Sequence, residues 1–257
     1  RYRETLSLRV SGTSEKPIRF VAQDGGRVFI DGTDPVTSQW TRHQGAIWKT
    51  PLDRPQVEQL FVNGVMQNEA RWPDATFGER WDRQSWAKVG KQAEYGKLDA
   101  PGMKATGVDW TGGIAIMNLA HQFFTWSRNI TSHHKGSDFL TYDRDLPGLA
   151  FADPETGTKK VTPWMQNLWR DDYFYLIGKL EALTGPTEWF HDPEKKLLYY
   201  MPKGGVAPKN LSVKTRDYGI VARNLQHLQF EGILLVGCAF QFTNCKHVTL
   251  SNCHVRY

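Results

Sequence analysis

Cysteine is scarce in this chain of 257 residues: Cys238, Cys245 and Cys253 are the only three. Their number is odd and their spacing fits no zinc pattern, so they read as buried thiols rather than a disulfide framework or a metal site. No apolar run reaches the roughly 18 residues that a membrane-spanning helix needs. The opening Arg1-Tyr2-Arg3-Glu4-Thr5 does not read as a signal peptide. Lys and Arg number 32 against 27 Asp and Glu, a net charge of +5. The basic residues are scattered, with no stripe or long run, which argues against nucleic acid as a partner while leaving room for an anionic polymer. A phosphate loop, a Gly-x-Ser-x-Gly elbow, a Cys-x-x-Cys pair and a His-Glu-x-x-His helix are all missing, and the Gly-Gly pairs open no dinucleotide-binding helix. Asp31-Gly32-Thr33-Asp34 has the wrong spacing for a calcium loop.

What is present is a repeat. Asn224 to Leu235 laid over Asn244 to Val255, a shift of 20, puts Asn224 on Asn244, His227 on His247 and Leu228 on Val248. The same shift puts Phe230 on Leu250, Ile233 on Cys253 and Leu235 on Val255. Apolar positions meet apolar positions and alternate with polar ones, the pattern of stacked β-coils that bury their inward side chains against neighbouring coils. A stack needs at least about three repeats and a cap. The chain stops at Tyr257 on an uncapped coil, so it is expected to be a piece of a longer protein. The start has the same alternation: Leu6, Leu8 and Val10, then Ile18 and Phe20, then Val28 and Ile30. Leu6 to Val28 and Leu8 to Ile30 are each 22 positions apart and are read as coil equivalents.

Between these stretches the period is lost. Leu60 to Met66 reads as a hairpin turning at Asn63-Gly64, Gly113 to Leu119 and Gln122 to Ile130 as strands, and Tyr173 to Leu183 as a strand running into a short helical turn. Glu188 to Pro202 reads as strand, turn, strand, with Pro193 at the second turn position. The expectation is an all-β chain: a right-handed parallel β-helix, incomplete here, with an inserted antiparallel β-sandwich-like domain. Residues 1–38 hold the first coils, 39–207 the insert and 208–257 the resumed coils.

Several phrases carry a resemblance. They are Tyr2-x-Glu4-x-Leu6 with Ser11-Gly12-Thr13 and Lys16-Pro17-Ile18; Val28-x-Ile30-Asp31-Gly32; Leu60-Phe61-Val62-Asn63-Gly64; Glu69-Ala70-Arg71-Trp72-Pro73; Glu188-Trp189-Phe190; and Leu198-Tyr199-Tyr200-x-Pro202. Together they resemble right-handed parallel β-helix enzymes acting on polysaccharides, and more narrowly the β-xylosidase- and α-fucosidase-like glycoside hydrolases with an inserted β-sandwich. Pectate- and alginate-lyase-like proteins share the coils but usually lack the Ala-Arg-Trp-Pro and Glu-Trp-Phe phrases. The resemblance implies a secreted or periplasmic enzyme acting on a polysaccharide or oligosaccharide. It implies no cofactor (calcium only for a lyase) and catalytic groups mainly on coils beyond Tyr257. The remainder of the protein or a second chain would complete the helix.

The candidate site residues follow from the coil register. Glycoside hydrolysis needs a carboxylate pair, and outward positions on neighbouring coils about 4.8 Å apart can supply one. Glu231 is the only carboxylate in either aligned repeat, and its coil neighbour is Ser251, so the pair is incomplete; the plain alternative is a solvated glutamate at a coil corner. Leu234 and Val236 face outward and call for a cover, which the insert would supply. His254, Arg256 and Tyr257 would then rim a cleft, as sugar ligands or as a surface set bridging to the insert. A uronate lyase or epimerase would use such cationic groups on the substrate carboxylate. Arg71 reads first as a tie to a carboxylate on the coils, with sugar contact by Arg71 and Trp72 as the alternative. The ten Trp and nine Tyr serve as core, or as platforms for sugar rings in a glycan-binding protein without activity. His227 and His247 stack without a third metal ligand, and Asn224 and Asn244 read as an amide ladder. His121, Trp126, His133 and His134 have no recognisable spacing.

Overall fold

A computed structural model describes residues 1–23, 26–119, 122, 124–144, 151–152, 156, 159–160 and 172–257. His121 and part of the Asp24-Gly25-Gly26 turn lie outside these residues. The described chain is all-β, with only short 3-10 turns besides. It divides into two compact units. The first comprises Arg1–Gln39, Arg54–Gln67 and Pro208–Tyr257; the second comprises Trp40–Asp53 and Asn68–Ala207. The hairpin segment 54–67 therefore groups with the first unit.

The first unit holds three parallel sheets of three strands each. Leu6–Ser7, Tyr218–Arg223 and Ala239–Thr243 form one. Ile18–Val21, Gln226–Glu231 and Lys246–Ser251 form the next. Val28–Asp31, Ile233–Val236 and His254–Arg256 form the third. The chain visits the sheets in the same order three times. Leu228 lies in register between Ile18 and Val248, Phe230 between Phe20 and Leu250, and Leu235 between Ile30 and Val255. The rows read from the period of 20 are thus paired strand on strand. The 22-residue spacing at the start is not a coil repeat. Leu6 pairs with Ile220 on one sheet and Val28 with Ile233 on another, because the first three strands make a single pass whose partners come from the far end of the chain.

Ile220, Leu228, Phe230, Ile233 and Leu235 of the middle pass are buried, and Phe20 stacks on Phe230 at 5.2 Å. The last pass leaves the same rows open: Leu250 and Val255 are exposed. Among the described residues Asn224 and Asn244 have no side-chain hydrogen-bond partner, so the expected amide ladder is not formed there. Both hold a left-handed backbone (φ 54° and 50°), which asparagine tolerates better than most residues, and this accounts for the repeat of Asn at the turn. The His227 and His247 rings stack at 4.5 Å. All three thiols are free; Cys238 is buried, and Cys245 and Cys253 are half-buried.

A fourth, antiparallel sheet completes the first unit, in the order Thr33–Pro35, Leu211–Lys214, Leu60–Val62, Val65–Met66. Its hairpin turns at Asn63 and Gly64, both at positive φ as a two-residue turn requires.

The second unit is mainly antiparallel. Ile114–Leu119 lies between Phe124–His133 and Tyr173–Ile177, flanked on the latter by Arg71–Trp72 and Ala87–Lys88. A five-stranded sheet runs Thr41–Gln44, Ile47–Pro51, Leu197–Tyr200, Glu188–Asp192, Asn68–Glu69, with the last pair parallel. Trp110, Met117, Phe174, Leu176 and Tyr199 belong to one buried cluster. The Asp192–Lys195 turn is closed by the Asp192 carboxylate, which accepts from the Lys195 backbone N–H at 2.9 Å and its ammonium at 2.7 Å.

Candidate substrate cleft

On the third parallel sheet the outward positions form two rows. Phe29, Leu234 and His254 are in register, as are Asp31, Val236 and Arg256. Beside them run Thr33, Ser212 and Phe61 of the antiparallel sheet and the turn residue Asn63. These residues, with Arg1, Arg3 and Tyr257 but without His254, line a cleft of about 550 Å³ within the first unit. Its floor is apolar (Phe29, Leu234, Val236), and Phe61 and Tyr257 meet edge to face at 5.3 Å on one wall.

Asp31 is the buried anchor. Its Oδ1 accepts from the Thr33 N–H at 3.0 Å and the Thr33 hydroxyl at 2.8 Å. Its Oδ2 faces the Arg1 and Arg3 guanidiniums, each at 3.5 Å. Arg3 also donates to the Thr33 carbonyl, and Arg1 lies over the Phe29 ring. Arg256 is exposed and has no ion-pair partner among the described residues.

The predicted site residues do not converge. Arg256 and Tyr257 line the cleft; His254, at the start of the same strand, is exposed and outside its lining. Leu234 and Val236 are half-buried and line the cleft together with Phe61. Glu231 belongs to another sheet, in register with Val21 and Ser251; its carboxylate lies 3.6 Å from Arg19 and no second carboxylate shares its row.

Arg71 and Trp72 are in the second unit, where they line a pocket of about 210 Å³ with Asp74, Trp110, Glu181 and Thr184. No ion pair of Arg71 with any carboxylate is found among the described residues, in place of the expected tie. Arg71 is buried and donates to the carbonyls of Pro73 (2.9 Å) and Ser85 (2.6 Å), with its guanidinium 4.0 Å from the Tyr175 ring. Its strand is flanked by turns whose carbonyls need donors, so the side chain is consumed locally; burial pulls its pKa down to about 10.

Sequence reasoning missed Arg1, Arg3 and Asp31. The signal was there: carrying the register back one pass sets Asp31 beside Val236 and Arg256. It also missed two carboxyls inside the resemblance phrases. Burial pushes Glu188 up to about 7, although the N–H groups of Gly185 and Thr184 donate to it. Burial pushes Glu69 up to about 8; the residue is half-buried and its carboxyl has no hydrogen-bond partner among the described residues. No three His, Cys, Asp or Glu side chains converge on a metal position among the described residues.

No family model and no curated protein matches the chain. A solved structure described as "Glycoside hydrolase" matches with a TM-score of 0.63 and 20% identity, over 91% of this chain and 42% of that one. The two share a fold, and this chain spans less than half the length of that structure. A second, "The complex structure of XylC with xylose", covers 91% of this chain and 28% of its own at 12% identity; its TM-score of 0.32 carries no argument.

Proposed function

We propose that the protein containing this chain is a glycan-cleaving enzyme of the glycoside hydrolase kind, acting outside the cytoplasm. Its frame would be a right-handed parallel β-helix carrying an inserted antiparallel domain. The observation that carries this reading is the fold likeness to a glycoside hydrolase over 91% of the chain. It is supported by a cleft with an apolar floor and the exposed ring of Tyr257 at its wall, since an aromatic face packs on the apolar face of a sugar ring.

Hydrolysis calls for two carboxylates about 5–9 Å apart. On the outward rows Asp31 is engaged by Thr33, Arg1 and Arg3, and Glu231 stands alone on another sheet. Glu231 is our candidate acid or base, with its partner carboxylate on further coils of the longer protein. The test is to incubate the complete protein with neutral and uronate polysaccharides and read reducing ends together with the unsaturated-uronate absorbance. Reducing ends alone sustain hydrolysis. Both signals replace it with a lyase, the reading that the cationic rim of the cleft favours. Binding without either signal makes the protein a glycan-binding β-helix. Glu231→Gln should lower kcat by about two orders of magnitude or more; an unchanged kcat removes Glu231 from the mechanism.

A further inference from the structure

We propose that the cleft of the first unit is a subsite for an acid-bearing sugar, a uronate residue whose carboxylate sits on the Arg256 and Arg3 guanidiniums while its ring lies against the exposed Tyr257. The inference rests on the reading of the protein as carbohydrate-active, and it names the class of substrate.

The argument is one of unused donors. Three guanidiniums, of Arg1, Arg3 and Arg256, face a cleft that holds one carboxylate, Asp31. Asp31 has no capacity to spare: both hydrogen bonds from Thr33 fall on Oδ1 and both arginine contacts on Oδ2. The remaining polar side chains of the cleft satisfy one another. The Asn210 amide donates to the Asn63 amide oxygen at 3.0 Å, and the Ser212 hydroxyl, 3.0 Å away, donates to the Thr33 hydroxyl oxygen, whose own proton goes to Asp31. The next carboxylate of the antiparallel sheet, Asp34, is held by Arg216 at 2.7 Å and Arg54 at 3.8 Å. What the cleft still offers is therefore donors, with Arg256 unpaired among the described residues.

A neutral sugar, whose hydroxyls both give and accept, would leave this charge uncompensated. A carboxylate answers it, because a guanidinium presents parallel N–H groups at the spacing of two carboxylate oxygens. The apolar floor of Phe29, Leu234 and Val236 lowers the local dielectric and strengthens the pair. Arg3, already fixed by Asp31 and the Thr33 carbonyl, adds a second charge with little further loss of side-chain freedom.

The test uses the complete protein and two probes of equal shape, tetragalacturonate and its fully methyl-esterified form, titrated calorimetrically at low ionic strength. The acid should bind about 10- to 100-fold more tightly than the ester, and the difference should shrink with salt. Arg256→Gln should bring the acid to the affinity of the ester and leave the ester unchanged; Arg3→Gln should act in the same direction. Unchanged thermal unfolding of Arg256→Gln excludes a folding defect, and a variant that does unfold early is replaced by Arg256→Lys, which keeps the charge and should retain part of the preference. Equal affinity for the two probes, binding of neither, or a preference that survives both substitutions overturns the inference. Should that happen while neutral glycans are still hydrolysed, the functional reading stands without it. Acid-selective binding with no cleavage of any glycan leaves the subsite and removes the enzyme.

Discussion

The two units bury their cores by different rules. In the parallel sheets of the first, side chains fall in rows: Ile18, Leu228 and Val248 stand in line, as do Phe20, Phe230 and Leu250. In the second, the core draws Trp110, Met117, Phe174 and Tyr199 from strands with no common period, and it encloses charge-bearing groups, Glu69, Arg71 and Glu188. Repetition fixes register by translation, so each row predicts the next. An antiparallel core has to satisfy each buried polar group by its own local arrangement. The chain carries two convenient reporters of this difference, because all ten Trp fall in the second unit and all three Cys in the first. Tryptophan fluorescence and thiol reactivity then read the two units separately.

The largest effect is expected where a row is fully enclosed. Phe230 is 1% exposed and touches Phe20, Phe240 and Phe242. Phe230→Ala should cost about 3–5 kcal/mol. Leu250, one pass further along the same row, is 47% exposed, and in a chain of these 257 residues Leu250→Ala should cost under about 1 kcal/mol. Denaturant midpoints followed by thiol reactivity measure both. A loss at Phe230 of under about 1 kcal/mol would mean that it does not lie between Phe20 and Leu250. If the tryptophan curve shifts in step with the thiol curve, the two units unfold as one and the contrast in stability is lost.

That contrast also marks what could be read in advance. The strands Gln226–Glu231, Ile233–Val236, Lys246–Ser251 and His254–Arg256 all follow from alternation and a period of 20, since inward side chains must meet their counterparts one coil on. The hairpin at Asn63-Gly64 follows from the left-handed turn it needs. The cleft was half legible: Arg256 and Tyr257 came from the repeat, but Arg3, Asp31 and Phe61 reach it through pairings with residues far along the chain, and no local pattern announces those. The burial of Glu69 and Glu188 was hidden for another reason. A glutamate in an extended segment reads as solvated, and only the tertiary wrapping removes its water.

The pH response should separate the units by sign. Below about pH 4.5 Glu69 and Glu188 are protonated in both the folded and the unfolded chain. Above it the unfolded chain releases its protons first, so the folded state loses relative stability until the pH passes their folded values of about 8 and about 7. Stability read by tryptophan should fall across this window, by about 5 kcal/mol from Glu69, and Glu69→Gln should flatten the slope. In the first unit burial pushes Asp34 up, but the hydrogen bonds from Arg216 and Thr215 outweigh it and hold the carboxyl below its ordinary range. Its contribution is present above the unfolded value and lost as the pH falls through the folded one. A tryptophan-read stability that rises between about pH 5 and 8 would contradict the burial of both glutamates.

Arg71 tests whether the second unit depends on buried polar wiring. Replacing it with Met keeps the bulk over Tyr175 and deletes the bonds to Pro73 and Ser85. The loss should be about 2–3 kcal/mol. Arg71→Lys should recover only part of it, because one ammonium does not span two carbonyls in the fork geometry. Full recovery by lysine would reduce the role of Arg71 to charge alone.

The smallest effects belong to the cleft, and they distinguish its two charged members. Asp31→Ala strands the Thr33 N–H and frees Arg1 and Arg3 from their shared anchor, so the first unit should lose about 1–2 kcal/mol in the thiol-read midpoint. Arg256→Gln breaks no ion pair or side-chain hydrogen bond among the described residues, and the midpoint should stay within about 0.5 kcal/mol. A carboxylate that matters to folding beside a guanidinium that does not is the division expected of a site where one charge builds the wall and the other waits for a ligand. A measurable loss at Arg256 would turn the second charge into part of the wall.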